Sequence, residues 1–260
     1  MKYEVELNVA LKAAKEAREV ILKYYHDGFN VEIKEDNSPV TEADKNADKI
    51  IRKVIHESFP THEFLTEEAE DNKKRLSAEF VWIVDPVDGT KDFINKDDEF
   101  TTNIALCKDH EIVVGVVAIP ARNIYYYAVK GEGAFKLDEN GQVTKIHVNN
   151  KTSNLTCLRS VFHFNENEQK LIEKYSDKIK TVKKAGSSLK ACLISEGKAE
   201  ISYRISGGTK EWDTAAFQII VEEAGGLVLK PNKERMLYNR EDVYNREGYL
   251  IINNIENFLI

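Results

Sequence analysis

Proline, cysteine and uninterrupted apolar stretches are all scarce in this chain of 260 residues. No apolar run approaches the span of a bilayer-crossing helix, so an integral membrane segment is not expected. The opening Met1-Lys2-Tyr3-Glu4 is charged where a secretory leader would be apolar, and the expectation is a cytoplasmic protein. The 3 cysteines, Cys107, Cys157 and Cys192, are odd in number and widely spaced, which argues against a disulfide framework and for reduced core thiols. None of the 6 histidines lies near another histidine or a cysteine at zinc-binding spacing, so no structural zinc is expected. Positive charge is also in deficit. A formal net charge of -7 argues against a general binder of nucleic-acid polymers or anionic membrane surfaces. With 5 prolines, no low-complexity linker and no repeat of fixed period, nothing marks a disordered spacer or a solenoid.

What remains is an ordinary globular composition, 42% hydrophobic and 31% charged, in a chain long enough for one large domain or two fused halves. Apolar spacing through Val9, Ala13, Ala17, Val20, Ile21 and Tyr24 predicts a helix over residues 5–25. Asp36-Asn37-Ser38-Pro39 reads as a loop. Thr41 then caps a second helix, with Ala43, Ala47, Ile50, Ile51, Val54 and Ile55 on its buried side and Pro60 at its end. Strand-like runs follow at 102–107, 112–119, 124–129 and 143–148, with reversals at 108–111 and 140–141. Beyond them come a strand over 155–161, helices over 166–175 and 187–195, a strand over 199–203, an amphipathic helix over 212–224 and a last strand over 248–252. Segment 149–154 is the natural seam between an N-terminal α+β half (1–150) and a C-terminal α/β half (151–260). Layered helices and sheets follow from this alternation, but the strand order does not. Strand alternation makes Tyr125-Tyr126-Tyr127 half core and half surface, and Trp82 and Trp212 read as packing residues.

The sharpest local signal is Asp85-Pro86-Val87-Asp88-Gly89-Thr90, directly after the apolar run Phe80-Val81-Trp82-Ile83-Val84. A buried strand there would end in a tight, irregular turn presenting two carboxylates and a hydroxyl in one small volume. Such carboxylates repel one another, and a divalent cation relieves the repulsion. At roughly 5% usage per residue type, five specified positions match by chance about once in 10⁴ chains of this length. Three more acidic positions stand out: Asp44 and Asp213 near expected helix starts, and the Glu67-Glu68 pair. Taken singly, Asp44 and Asp213 read equally well as helix caps, and a Glu pair as solvated surface.

Together they carry a resemblance. Residues 39–44 (PVTEAD), 66–68 (TEE), 82–93 (WIVDPVDGTKDF) and 212–216 (WDTAA) resemble, in the same order, the inositol-monophosphatase-like superfamily of metal-dependent, lithium-sensitive phosphatases. The stretches 90–93 (TKDF), 99–106 (EFTTNIAL) and 186–190 (GSSLK) are most similar to its CysQ branch of 3'(2'),5'-bisphosphate nucleotidases. The resemblance implies a layered α-β-α-β-α sandwich of the inositol monophosphatase and fructose-1,6-bisphosphatase type. It implies two Mg²⁺ ions, one held by Glu67, Asp85 and the Val87 carbonyl, the other by Asp85, Asp88 and Asp213, with a third ion near Glu67 described for relatives. All-oxygen ligation suits Mg²⁺, and two ions about 4 Å apart can clamp an in-line displacement. Asp44 and Thr90 match the pair that orients and deprotonates the metal-activated water. Asp88, Gly89, Thr90, Lys91, Gly186, Ser187, Ser188, Lys190, Arg204 and Asp213 are the expected substrate contacts. Inhibition by Li⁺, and Ca²⁺ binding without turnover, are implied too. The resemblance allows peripheral association with the inner membrane and a homodimer, and the oligomeric state stays open.

Residues 180–212 hold seven basic side chains (Lys180, Lys183, Lys184, Lys190, Lys198, Arg204, Lys210) against three acidic ones, a local excess that a second substrate phosphate would want. The reaction the resemblance implies is removal of the 3'-phosphate of adenosine 3',5'-bisphosphate, giving AMP and phosphate. Inositol monophosphate or a sugar phosphate is the alternative substrate. A haloacid-dehalogenase-type aspartyl-phosphate route fits less well, because its two aspartates stand two apart and here they stand three apart with Pro86 between. A catalytically silent binding module is the remaining reading.

Overall fold

The computed structural model describes residues 2–33 and 39–260. Helix α1 (Glu4–Asp27) buries Leu7, Ala10, Ala13, Ala14, Ala17, Ile21 and Tyr25, and its alanines let a second helix approach closely. A short antiparallel pair, β1 (Val31–Ile33) and β2 (Pro39–Thr41), leads into that helix, α2 (Glu42–Ser58). Of the loop expected over residues 36–39, residues 36–38 lie outside the described residues, and Pro39 instead opens β2. Thr41 caps α2 as its sequence suggests. Its hydroxyl accepts the Ala43 N–H at 3.2 Å, while the Asp44 carboxylate accepts the Thr41 N–H at 2.9 Å.

A seven-stranded sheet follows, built in sequential order from β3 (Glu63–Thr66), β4 (Phe80–Asp88), β5 (Thr101–Lys108), β6 (Glu111–Ile119), β7 (Ile124–Val129), β8 (Gly133–Leu137) and β9 (Val143–Ile146). Only β3 and β4 run parallel; all later neighbours are antiparallel. A short helix, α3 (Thr90–Asn95), sits between β4 and β5. Period-2 geometry sends alternate residues of β4 into two different cores. Trp82 and Val84 face α1 and α2, whereas Val81 and Ile83 face the other way, into a core shared with the C-terminal half.

The chain then builds β10 (Leu155–Arg159), α4 (Glu166–Lys174), β11 (Ile179–Lys184), α5 (Leu189–Ser195), β12 (Ile201–Arg204), α6 (Glu211–Glu223), β13 (Leu227–Leu229) and β14 (Tyr249–Ile252). Its five strands form a mixed sheet in the order β11-β10-β12-β14-β13. Helices α5 and α6 are packed between the two sheets, and Ile172 of α4 packs on the far face of the second sheet. The result is five layers, α-β-α-β-α, in agreement with the architecture the resemblance implies. Among the described residues no helix is long and apolar enough to cross a membrane. Cys107, Cys157 and Cys192 are free and buried, and burial pushes Cys107 and Cys157 up to about 12, which keeps them unreactive near neutrality.

Several expectations need correction. Helix α6 is not amphipathic: Trp212 and residues 214–221 are all buried, because sheets cover it on both sides. Gly115 on β6 marks how close it passes, since any side chain there would run into the Ala216 carbonyl. Tyr125-Tyr126-Tyr127 is not half surface. Tyr125 packs beneath α1, Tyr126 packs into the central core, and Tyr127 is partly buried. The strand expected over 155–161 stops at Arg159, the helix over 187–195 starts at Leu189, and β12 is shifted to Ile201–Arg204. Strands β1, β2, β3, β8, β11 and β13 had no expectation; β11 is an exposed edge and β1, β2 and β13 have three residues each, so none of these four carries a clear apolar period.

Candidate active site

Asp85 and Asp88 stand three residues apart, so a regular strand would point them to opposite faces. The β4–β5 pairing prevents this. Asp85 lies opposite Asn103 and Asp88 opposite Thr101, so three steps on one strand match two on the other. The bulge falls at Pro86-Val87, where proline has no N–H to donate to the ladder. The Thr102 hydroxyl donates to the Pro86 carbonyl at 2.8 Å and holds the distortion. Both carboxylates then face one cavity. Carboxylate oxygens of Asp85, Asp88 and Asp213 all lie within 4.8 Å of one another.

Each carboxylate is fixed by its own partners. One oxygen of Asp88, Oδ2, accepts from the Ser188 N–H and hydroxyl, both at 2.8 Å, from the Thr101 hydroxyl at 3.0 Å and from Asn103 Nδ2 at 3.2 Å. Asp85 Oδ1 accepts the Val87 N–H at 3.1 Å. Asp213 Oδ2 accepts the Lys210 N–H at 2.5 Å across the first turn of α6. Burial, and then the charges of Glu67, Asp88, Asp213 and Asp44, push Asp85 well above the ordinary carboxylate range. Burial followed by Asp88 and Glu67 pushes Asp213 up to about 8, against the opposing Lys210 N–H and ammonium. These are oxygen donors that resist ionisation together, which is the donor set a hard divalent cation fits.

Glu67 follows the end of β3, with its N–H donating to the Val84 carbonyl at 3.2 Å. It lines the same cavity, outside the trio of mutually close carboxylates. Val87 lines it as well. Asp44 is buried behind the wall: Oδ2 accepts from the Thr41 N–H at 2.9 Å and hydroxyl at 2.5 Å, and Oδ1 accepts from the Thr90 hydroxyl at 3.3 Å. Burial pushes Asp44 up, the two Thr41 hydrogen bonds oppose that, and the charge of Glu67 adds to it. Thr90 opens α3 directly after Gly89, whose φ of 87° is left-handed. A Cβ at Gly89 would lie 2.8 Å from Asp92 Oδ2, so glycine is required for both reasons.

The cavity holds about 390 Å³. Lys91, Ser187, Ser188, Lys190 and Arg204, all expected substrate contacts, line it. Gly186 does not: its N–H donates to Glu99 at 2.7 Å, and the Ser187 hydroxyl donates to the Glu99 carbonyl. The Lys190 ammonium donates to the Ser187 carbonyl at 2.7 Å and the Ala185 carbonyl at 3.4 Å, so it props the loop as well as facing the cavity. Arg204 donates to the His163 carbonyl at 2.8 Å, and its Nε is buried without a partner. Sequence reasoning missed His163 and Ser160, which line the cavity from a loop with no periodic signal, and assigned no role to Asp92 within the TKDF stretch. His163 is pushed down to about 4 by burial and then by Arg204, Lys91 and Lys190, which marks that wall as electropositive. Asp92 is pushed up to about 7 by burial and then by its neighbour Asp97.

The family model described as the inositol monophosphatase family matches residues 2–257. The 3'(2'),5'-bisphosphate nucleotidase CysQ of Buchnera aphidicola is 38% identical over 227 residues, covering 85% of this chain and 83% of that protein. An inositol monophosphatase of Mesembryanthemum crystallinum is 34% identical, covering 87% of this chain and 85% of its own. The crystal structure of CysQ from Bacteroides thetaiotaomicron superimposes with a TM-score of 0.85 at 31% identity, covering 97% of this chain and 98% of that one. With its matching layers and near-complete coverage, this chain belongs to the inositol monophosphatase family, a family of phosphatases.

Proposed function

We propose that this chain is a Mg²⁺-dependent 3'(2'),5'-bisphosphate nucleotidase that hydrolyses the 3'-phosphate of adenosine 3',5'-bisphosphate to AMP and phosphate. The observation that carries the substrate is the second wall of the cavity. Lys91, Lys190 and Arg204 line it together with His163, whose pKa is lowered first by burial and then by these three cations, and three convergent cations are a field suited to a further phosphate. The CysQ relatives support the same branch. The two halves divide the work: 1–150 supplies Asp44, Glu67, Asp85, Val87, Asp88, Thr90 and Lys91, and 151–260 supplies Asp213 with Lys190 and Arg204.

Glu67, Asp85, the Val87 carbonyl, Asp88 and Asp213 would hold the metal. Bound there, Mg²⁺ would offset the charge developing on phosphorus-bound oxygens and lower the pKa of the attacking water. The residues supply the rest. The Thr90 hydroxyl donates to Asp44, which turns its lone pairs outward to accept a hydrogen bond from that water. Asp44, raised by burial, is a better proton acceptor than an ordinary carboxylate and is suited to take the proton. Gly89 and Thr90 N–H groups at the start of α3 would hold phosphate oxygens.

Turnover across a panel of phosphate esters with Mg²⁺ tests the proposal. Adenosine 3',5'-bisphosphate should be cleaved far faster than inositol monophosphate or sugar phosphates. The reverse order would move the chain to the alternative branch, which the Mesembryanthemum relative represents.

A further inference from the structure

Glu211 is fully buried at the first position of α6, two residues before Asp213. A desolvated carboxylate persists only where its oxygens are paired. Here Oε1 accepts the Arg240 N–H at 2.8 Å and Arg240 Nε at 3.2 Å, while Oε2 accepts the Asn239 N–H at 2.7 Å. Arg240 continues the grip, donating to the Tyr244 carbonyl at 3.2 Å and to Asn245 Oδ1 at 2.8 Å. Asn245 Nδ2 donates in turn to the Lys210 carbonyl at 2.9 Å, and its N–H donates to the Thr209 carbonyl at 2.8 Å. Segment 239–245 therefore straps residues 209–211, and the Lys210 N–H is the group that holds the Asp213 carboxylate.

The strap also reaches the connection between β3 and β4. Arg75 is buried and donates to Asn239 Oδ1 at 2.9 Å and to the Arg240 carbonyl at 3.0 Å, and Asn239 Nδ2 donates back to the Arg75 carbonyl at 3.0 Å. Asp71 holds the same guanidinium at 2.8 and 3.1 Å. Arg75 lies within the β3–β4 connection that begins at Glu67, so one strap joins the two segments outside β4 that carry proposed ligands.

We infer that Glu211 and Arg240 are positioning residues for the metal centre, setting the start of α6 so that Asp213 reaches Asp85 and Asp88. The inference rests on reading those three carboxylates as a metal site. Groups behind metal ligands commonly change affinity by about 10–100-fold when removed. The probe is Mn²⁺, with free ion followed by electron paramagnetic resonance in the unaltered protein, E211Q, R240M, R240K, D213N and I172A. E211Q and R240M should keep the circular dichroism spectrum and bind at least one Mn²⁺ about 10-fold more weakly, with R240K intermediate. I172A, in the distant α4 core, should lower the melting temperature without moving Mn²⁺ affinity. Should E211Q fail to fold, R240M carries the test from its partly exposed side chain. Unchanged Mn²⁺ binding in E211Q and R240M, with binding weakened in D213N, would overturn the strap's role alone. No uptake by the unaltered protein, or no effect of D213N, would overturn the metal reading and the strap with it.

Discussion

Asp44 and Asp213 occupy the same position in two helices, the third residue after the cap, and both accept the N–H of the cap residue. Locally they are the same device. Their surroundings separate them: Asp44 meets hydroxyls, from Thr41 and Thr90, while Asp213 meets the carboxylates of Asp85 and Asp88. A helix start thus supplies a rigid carboxylate, and under the proposed function the facing element would decide whether that carboxylate handles a proton or a cation. The difference also explains why a capping reading and a catalytic reading of either residue are compatible.

The largest effect that would sharpen this comparison is on rate. Asp44→Asn should lower kcat by about 10²–10⁴-fold, the usual worth of a general base, while leaving Mn²⁺ uptake unchanged. Steady-state kinetics beside a metal titration would show it. Asp213→Asn should do the opposite, raising the Mg²⁺ concentration for half-maximal activity so that added Mg²⁺ recovers part of the rate. If both variants lose metal to the same degree, the distinction between proton and cation roles fails.

A smaller effect concerns pH and stability. Asp213 is raised from the ordinary carboxylate range to about 8 in the metal-free fold, so the folded state holds a proton that the unfolded chain has released. Stability from this group is complete below about pH 4 and is lost as pH rises through about 8. Metal-free protein should therefore melt at progressively lower temperature from pH 5 to 8.5, and the rise in melting temperature on adding Mg²⁺ should grow over that interval. A saturating ion at about 100 times its dissociation constant adds about 2.7 kcal/mol. A Mg²⁺-induced shift that shrinks with pH would contradict the cation role of Asp213.

The smallest effect is at the cap. Thr41→Ala should reduce stability by about 1 kcal/mol through loss of the α2 cap, measured by denaturant melting. It also removes one of the two Thr41 hydrogen bonds that hold Asp44 down, so the acidic limb of the kcat/KM profile should move to higher pH. An acidic limb that stays in place would mean another group sets it.

Helix α1, the Thr41 cap and the strand before Asp85 were legible because each rests on near-neighbour chemistry: apolar spacing, a hydroxyl before a helix, an unbroken apolar run. The seven-stranded sheet was only partly legible. Gly133–Leu137 has one central apolar aromatic flanked by small and charged residues, and becomes a strand through pairing on both sides. Tyr126 gives no sign in sequence that a second layer will cover it. His163 lacks any spacing signal, since its meaning comes from three cations delivered by α3, α5 and β12.

Sequence alone determined which residue types would be concentrated near positions 44, 67, 85–90 and 213, and that helix starts would present Asp44 and Asp213 and a strand end Asp85, because caps, turns and apolar periods act over a few residues. It could not determine that Asp85 and Asp88 share a face, that α6 is buried on every side, or that Arg75 and Glu211 meet one strap. Those depend on the register of β4 against β5 and on the stacking of two sheets around α6, where the partners are distant in the chain and are selected only by packing.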